Sequence, residues 1–390
     1  MHYMRSLLHS FAFILGLSCV GLTASEVAAP TLAPALQPFV DEHHIAGAVV
    51  LVADANKVLL TDAVGMMDLE AKKPMRTDCV FWIASMTKPI TCTALMMLVD
   101  EGKVDVDAPV SKYLPEFKDQ LLIVERDDAH VLLKQPTRPM RVRDLMSHTS
   151  GITRRSLPGA LTGDEVSLAT RVAAYASQPL EWEPGTKYLY SNAGINTVGR
   201  IIEKISGQSY AQFVQERLFD PLGMTDTSFW PTDEQASRLA TGYQPNPDKS
   251  GLVPVRRVLS DRTREPSPAG GLYSTAADMA KFCQVILNHG TSAGRRYVSP
   301  ERINQMTSRQ TSAEISESYG FGWTTRKGLA SHNGAWKTNM SINPKAGLIT
   351  ILMVQNAGWR NDDEGKKIEP AFRKAALATF ARPSASPQRR

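Results

Sequence analysis

Apolar, β-branched runs separated by short polar clusters open the chain's patterned region. Residues 46–53 and 58–65 are two such runs, and Asp54-Ala55-Asn56-Lys57 between them is a turn-forming cluster, so the pattern predicts a hairpin. The same pattern returns late. Residues 319–325, 338–342 and 348–355 predict strands, and Asn343-Pro344-Lys345-Ala346-Gly347 predicts the turn between the last two. Residues 368–380 then carry helical periodicity, with Ile368, Phe372, Ala375, Ala376 and Leu377 available for one face. Between these ends the runs 90–99, 142–146, 193–205, 210–218 and 275–287 predict helices. Their stop signals are Glu101-Gly102, Ser206-Gly207, Pro221 and Gly290, and Ser274/Thr275 caps the last. Hairpins build antiparallel sheets. The predicted fold class is therefore α+β: one antiparallel sheet from both chain ends, flanked by helices, with a mostly helical domain inserted. The expected boundaries are 26–84 plus 311–381 for the sheet domain and 85–310 for the helical domain. Residues 382–390, rich in Pro, Ser and Arg, predict a disordered tail.

The first residues predict an export signal over 1–25, and hence a periplasmic or secreted protein. His2 and Arg5 form a weakly basic start, residues 11–22 an apolar run, and Thr23-Ala24-Ser25 a small-residue cleavage region. That run is shorter than the ~20 residues that span a bilayer, and no later segment reaches ~18 apolar residues, so no membrane span is expected. Lipidation at Cys19 is the weaker reading. Gly16 and Leu17 are unusual before a lipid-bearing cysteine, and the apolar run continues past it.

Composition narrows the classes. A chain of 390 residues with 43% hydrophobic and 21% charged residues is an ordinary globular protein of two domains or one composite one, not a disordered, collagen-like or disulfide-scaffold chain. The net charge of +5 is small and the basic residues are scattered, apart from Gln388-Arg389-Arg390. Nucleic-acid binding, which concentrates positive charge on one face, is set aside. Past the signal, Cys79, Cys92 and Cys283 are odd in number and lack metal-ligand spacing, so they read as small core hydrophobes.

Three short stretches carry candidate chemistry. Ser85-Met86-Thr87-Lys88 opens the first strong helical run, and residues three apart share a helix face. A serine hydroxyl needs a proton acceptor to become a nucleophile, and a lysine can be one if burial lowers its pKa. The helix N-terminus adds N–H groups that favour negative charge. Alone, Ser-x-x-Lys is weak, because a helix cap followed by a solvated lysine has the same spacing. In Tyr190-Ser191-Asn192, the tyrosine becomes a base only where a cation such as Lys88 lowers its pKa, and Asn192 offers an amide to a substrate carbonyl and to Lys88. The bland reading is a core tyrosine with a capping asparagine. In His332-Asn333-Gly334-Ala335, glycine permits close backbone approach, and the N–H of Ala335 is a candidate second oxyanion donor beside that of Ser85. The bland reading is a turn between strands.

In this order the three stretches resemble the serine β-lactamase and penicillin-binding-protein superfamily, of which Ser-x-x-Lys is a signature. They are most similar to the branch holding class C β-lactamases, D-alanyl-D-alanine carboxypeptidases and family VIII carboxylesterases. Also similar to that branch are Leu145-Met146-Ser147-His148-Thr149-Ser150-Gly151-Ile152, Pro184-Gly185, Pro221-Leu222-Gly223-Met224 and Ala269-Gly270-Gly271-Leu272-Tyr273-Ser274-Thr275, and the resemblance runs from about residue 36 to about residue 356. It implies Ser85 as acyl-forming nucleophile, Tyr190 and Lys88 sharing the base work, the backbones of Ser85 and Ala335 as oxyanion hole, and Asn192, His332, Asn333 and Gly334 as substrate-binding residues. It implies no cofactor and no metal. The partners it implies are a small-molecule ester, a D-amino-acid peptide or a β-lactam. The chain departs from class C β-lactamases, which carry Lys-Thr-Gly where this one has His332-Asn333-Gly334. Histidine, with a reference pKa of ~6.5, is a weaker anchor for a substrate carboxylate. The expectation is a secreted serine hydrolase of carboxylesterase type. The alternatives are a D-alanyl-D-alanine carboxypeptidase or β-lactamase and, from another class, a non-catalytic penicillin-binding or scaffolding relative. The last would most simply lack Ser85, Lys88 or Tyr190, and all three are present. Trp182, Tyr190 and Trp336 suggest an apolar cleft.

A rival motif, Gly290-Thr291-Ser292-Ala293-Gly294, matches the nucleophile elbow of α/β-hydrolases, but a helix ends at Gly290 where that elbow needs a strand, so it reads as a surface turn. His148 reads as structural, at a helix end. His43-His44 reads as a helix-end surface feature. Arg154-Arg155, Arg256-Arg257 and Arg295-Arg296 read as solvated pairs.

Overall fold

The two chain ends meet in one sheet. In this computed structural model, which describes residues 30–153, 165–255, 263–359 and 361–381, six antiparallel strands run in the order Ala330–Asn333, Asn339–Asn343, Leu348–Met353, Gly47–Ala53, Val58–Asp68, Lys73–Pro74. The strand Gly47–Ala53 lies inside it, with Val50 opposite both Leu352 and Asp62. All seven of its residues are buried. Side chains alternate across a strand, and here both sides are covered. Val49, Leu51 and Ala53 join the large core with the helices Thr87–Asp100 and Ala276–Leu287. Ala48, Val50 and Val52 join a second cluster with Leu36, Ile368 and Phe372. Those three come from the helices Ala33–Asp41 and Asp362–Phe380, which cover that face. This is the expected antiparallel sheet with helices on both faces.

The middle of the chain supplies the helices Thr87–Asp100, Val142–Met146, Leu168–Ala176, Asn192–Ser206 and Tyr210–Val214, the last running into a π-turn over Gln215–Phe219. Every residue from Thr87 to Val99 is buried, so this helix is a central post and carries no polar face. The middle also holds short hairpins that the helical pattern did not predict, Leu122–Arg126 with Val131–Lys134 and Gly242–Pro245 with Leu252–Val255.

Three expectations change. Residues 319–325 form no strand; they make bridges only at Tyr319–Thr324 and Thr324–Ser331. The glycines explain this. A Cβ on Gly320 would stand 2.0 Å from the Met306 carbonyl oxygen, and Gly322, at φ +80°, presses against Cys92. The segment is wedged against the central helix instead of extending. The helices Ala33–Asp41, Leu168–Ala176, Asp233–Ser237 and Pro300–Thr307 were not predicted; the first carries Pro38 inside it, which reads as a breaker in sequence. In the pair His43-His44 only His43 is a surface feature: it is exposed, at φ +57°, while His44 is buried with Nε2 3.2 Å from Glu42.

Cys79, Cys92 and Cys283 are free and buried. The expected export segment 1–25 with Cys19, the tail 382–390 and the pairs Arg154-Arg155 and Arg256-Arg257 lie outside the described residues. Among the described residues no helix is long and apolar enough to cross a membrane. Truncating the buried inner strand tests the two-faced core: Leu51→Ala is expected to cost about 2–5 kcal/mol, read as a lower guanidinium midpoint at unchanged m-value.

Candidate active site

The strand pair Phe81–Trp82 with Tyr273–Ser274 delivers the chain to a 3-10 turn, Ala84–Met86, that runs straight into the central helix. Ala84 holds φ at +45°, a costly conformation for a residue with a Cβ. The turn is pinned by Thr87, whose hydroxyl donates to the Ala84 carbonyl (2.7 Å) and accepts from the Leu272 N–H (3.3 Å). Among residues 83–90 only Ser85 keeps partial exposure.

One helical turn on, Lys88 is completely buried at 0% exposure. Its Nζ lies 3.0 Å from Ser85 Oγ and 2.6 Å from the Ala269 carbonyl oxygen. Burial disfavours the ammonium form and lowers the pKa of this lysine to about 7. A neutral amine there donates one N–H to Ala269 and turns its lone pair to the Ser85 O–H. The Ala269 carbonyl is itself held in place, because the Ala269 N–H donates to Asn196 Oδ1 (3.2 Å) on the helix Asn192–Ser206, and Asn196 Nδ2 donates to the Tyr175 hydroxyl (3.3 Å).

Tyr190 covers the amine, with Nζ 4.6 Å from its ring centroid. Its ring packs between those of His148 (4.5 Å) and His332 (6.1 Å). His148, at φ +59°, turns its Nδ1 to accept the Ser191 N–H (3.2 Å) while its carbonyl accepts the Leu189 N–H (2.8 Å). The stretch ending the helix Val142–Met146 therefore braces the Tyr190 segment. Ser191 caps the next helix through the Gly194 N–H. Asn192 is the exposed first residue of that helix, and no hydrogen bond joins it to Lys88 among the described residues; the expected Asn192–Lys88 link is absent because the lysine's partners are Ser85 and Ala269.

His332 differs from expectation more sharply. Only 4% exposed, it has Nδ1 2.8 Å from the Asn333 carbonyl oxygen and Nε2 3.0 Å from the Tyr319 hydroxyl. A carbonyl only accepts, so Nδ1 carries the proton and Nε2 accepts from Tyr319. Burial, with Lys88 nearby, lowers the His332 pKa to about 3. The imidazole is neutral and has no free nitrogen to offer a substrate. Both ring nitrogens are engaged by the protein, one of them by the carbonyl of Asn333 in the turn that follows. Tyr319 carried no signal in the sequence, where it read as the first residue of a strand.

That turn is clasped to the nucleophile segment. A Cβ on Gly334 would stand 2.1 Å from Thr338 Oγ1 and 2.5 Å from the Ile83 carbonyl oxygen, so only glycine fits. Thr338 Oγ1 donates to the same Ile83 carbonyl (3.2 Å), and the Gly334 N–H donates to the Thr338 carbonyl (2.7 Å). Ala335 is exposed, and its N–H donates to no carbonyl among the described turns. Asn333 is exposed, its side-chain oxygen accepting from Asn339. The structure thus gathers Ser85, Lys88, Tyr190 and the 332–335 turn, and leaves Asn192 at the exposed start of its helix. The Ala269 carbonyl was missed as a partner, since a backbone oxygen has no side-chain signature.

Two other sequence features resolve plainly. Trp336 packs on Trp82 at 5.6 Å, and the two line one cavity. Ser292 lies in a two-residue hairpin, Thr291–Ser292 with Arg295–Arg296, turned by Ala293 and Gly294 at positive φ, with no strand before it and no helix directly after. Among the described residues no three His, Cys, Asp or Glu side chains form a metal set.

Comparison with known proteins identifies the family and the fold. The β-lactamase family model matches residues 32–371. Esterase EstB of Burkholderia gladioli is 31% identical over 335 residues, covering 77% of this chain and 80% of its own. Penicillin-binding protein 4* of Bacillus subtilis is 26% identical, covering 89% of this chain and 75% of its own. In fold, the chain is similar to EstCE1, described as a hydrolase with promiscuous acyltransferase activity, at a TM-score of 0.74 and 23% identity, over 88% of this chain and 97% of that one.

The buried amine makes two measurable demands. A base with a pKa of about 7 loses its lone pair as pH falls through 7. Ser85-dependent turnover should therefore fall below neutrality, and Lys88→Arg, which stays charged, should lower kcat/KM by about 10²–10⁴. Stability follows the same group. The unfolded lysine titrates at the ordinary 10.5, so between about 7 and 10.5 the unfolded chain binds the extra proton and stability rises with pH. Urea midpoints of the wild type relative to Lys88→Met should climb across that window and level off outside it. Ser292→Ala should leave turnover unchanged; a loss above about a hundredfold would revive the elbow reading.

Proposed function

The chain belongs to the β-lactamase family, and on that premise we propose that it is a carboxylesterase-type serine hydrolase working through an acyl-enzyme on Ser85. The observation that carries this is the 3.0 Å approach of a fully buried, readily deprotonated Lys88 amine to the Ser85 hydroxyl. In the proposed reaction Lys88 takes the Ser85 proton as Oγ bonds to the ester carbonyl carbon. The carbonyl electrons move onto oxygen, where the N–H groups of Ser85 and Ala335 are the proposed donors. As the tetrahedral species collapses, the C–O bond to the alcohol breaks, and the proton passes from Lys88 to the leaving oxygen, with Tyr190 beside the amine as the relay. Water then attacks the acyl-enzyme, its proton following the reverse route, and the acid leaves as Ser85 is regenerated. Asn192 and Asn333, both exposed, are the proposed polar contacts for the substrate.

The neutral, internally satisfied His332 supports an ester over a β-lactam. Where class C β-lactamases place a lysine, His332 offers no cation to a substrate carboxylate. The named activity of Esterase EstB points the same way, whereas the likeness to Penicillin-binding protein 4* keeps a D-alanyl-D-alanine carboxypeptidase as the second reading. Export of the chain is part of the proposal and rests on the pattern of residues 1–25.

The test is the ratio of kcat/KM for p-nitrophenyl butyrate to that for a chromogenic cephalosporin, with Ser85→Ala as blank. The ester is expected to be favoured by at least about tenfold, as one charge-assisted hydrogen bond to a carboxylate is lost. A ratio favouring the cephalosporin transfers the proposal to a β-lactamase or carboxypeptidase. No turnover above the blank with either sinks the carboxylesterase reading and leaves a peptide-specific enzyme or a non-catalytic relative.

A further inference from the structure

The Lys88 amine has Ser85 on one side and a backbone carbonyl, that of Ala269, on the other. Its lone pair faces the serine only while that carbonyl stays in place, so whatever holds the loop around Ala269 bears on the reaction. The peptide between Pro268 and Ala269 is held at both ends. Its oxygen accepts from the Thr91 hydroxyl (2.7 Å), which stands on the helix of Lys88 itself. Its N–H donates to Asn196 Oδ1 (3.2 Å) on the helix Asn192–Ser206. That helix also presses on the loop: a Cβ on Gly199 would stand 2.3 Å from Pro268 Cγ. The following N–H, of Gly270, donates to the Ser267 carbonyl (3.1 Å).

Asn196 is a costly residue for its place. It is 4% exposed, among the buried Ile195, Thr197 and Val198. Asparagine is a poorer helix former than leucine, and a buried amide must find partners. The orientation of its side chain is settled, because an N–H is accepted only by oxygen. Oδ1 therefore faces Ala269, and Nδ2 donates to the Tyr175 hydroxyl (3.3 Å) on the helix Leu168–Ala176. The loop is thus tied to two helices through one side chain. The helix that carries Asn196 begins two residues after Tyr190, the ring that covers the amine.

We propose that Asn196 is a positioning residue of the reaction: by holding the loop that presents the Ala269 carbonyl, it aims the Lys88 lone pair at the Ser85 hydroxyl. This rests on the reading of Lys88 as the base for Ser85. The titratable groups facing the amine are Cys92 one turn along its own helix, Tyr190 above it and His332 from the sheet edge. Burial pushes the Cys92 thiol up and the His332 imidazole down, so neither carries charge near neutrality.

The test uses the full chain with 13C-labelled lysines, the Lys88 signal being identified by its loss in Lys88→Met. Asn196→Leu removes both hydrogen bonds. A displaced carbonyl stabilises the ammonium form less, so the Lys88 titration midpoint is expected to fall by at least about half a unit. At pH 9, where the amine is mostly neutral, kcat for p-nitrophenyl butyrate should drop about tenfold without a rise in KM. Asn196→Asp keeps the acceptor oxygen. It should hold kcat at pH 9 within about threefold of the wild type and raise the midpoint by about one unit. The proposal is overturned if Asn196→Leu leaves either midpoint or kcat at the wild-type value whatever its Tm, which would make the amide merely structural. It is also overturned if the loss falls on KM alone, or if Asn196→Asp loses kcat as fully as Asn196→Leu. Should Asn196→Leu not fold, Asn196→Asp decides alone, an unmoved midpoint or a lost kcat overturning the proposal. If the wild type shows no turnover above Ser85→Ala, the esterase reading fails, and the Lys88 midpoints by themselves decide this one.

Discussion

An ammonium group has no place in a dry interior without a counter-charge, and that constraint governs the candidate site. Lys88 sits on a helix buried from Thr87 to Val99, with a serine hydroxyl and a backbone carbonyl as its partners. The protein tolerates the residue by favouring its neutral form. Everything around it serves that condition. Asn196 holds the carbonyl of Ala269, Tyr190 closes over the amine, and His332, itself neutral, adds no charge beside it.

The second constraint is closeness of backbones. The turn at Gly334 touches the Ile83 carbonyl, and Gly270 lies on the Ala84–Ser85 peptide. The sheet edge and a distant loop are thereby fastened to the nucleophile turn, the first with the help of the Thr338 hydroxyl. A left-handed Ala84 is held by the same contacts, together with the Thr87 hydrogen bonds. Rigid local geometry in the site is thus enforced from three separate stretches of chain.

How much of this was legible follows from the kind of signal each part leaves. The inner strand Gly47–Ala53 and its hairpin partner were readable because an unbroken β-branched run beside a turn cluster has few other uses. Ser85, Lys88, Tyr190 and Gly334 were readable because their types and order carry the chemistry. What was not readable depends on tertiary contact. The strand expected over residues 319–325 failed because Gly320 and Gly322 answer to Met306 and to the distant Cys92, contacts that no local pattern shows. His332 was read by its side chain's usual role, yet its state is set by Tyr319 and by burial. The helix Ala33–Asp41 was hidden by Pro38, a residue that local rules count against a helix and that packing on the sheet overrides.

Ser85 and Lys88 share one helical turn, but the partners that tune the amine come from residues 190 and 269, and the clasp on the turn from residue 334. A nascent or collapsed chain holding that helix alone would keep an ordinary, protonated lysine and an inert serine. The lowered lysine pKa is therefore a property of the finished tertiary structure, and no local segment of the chain carries it alone.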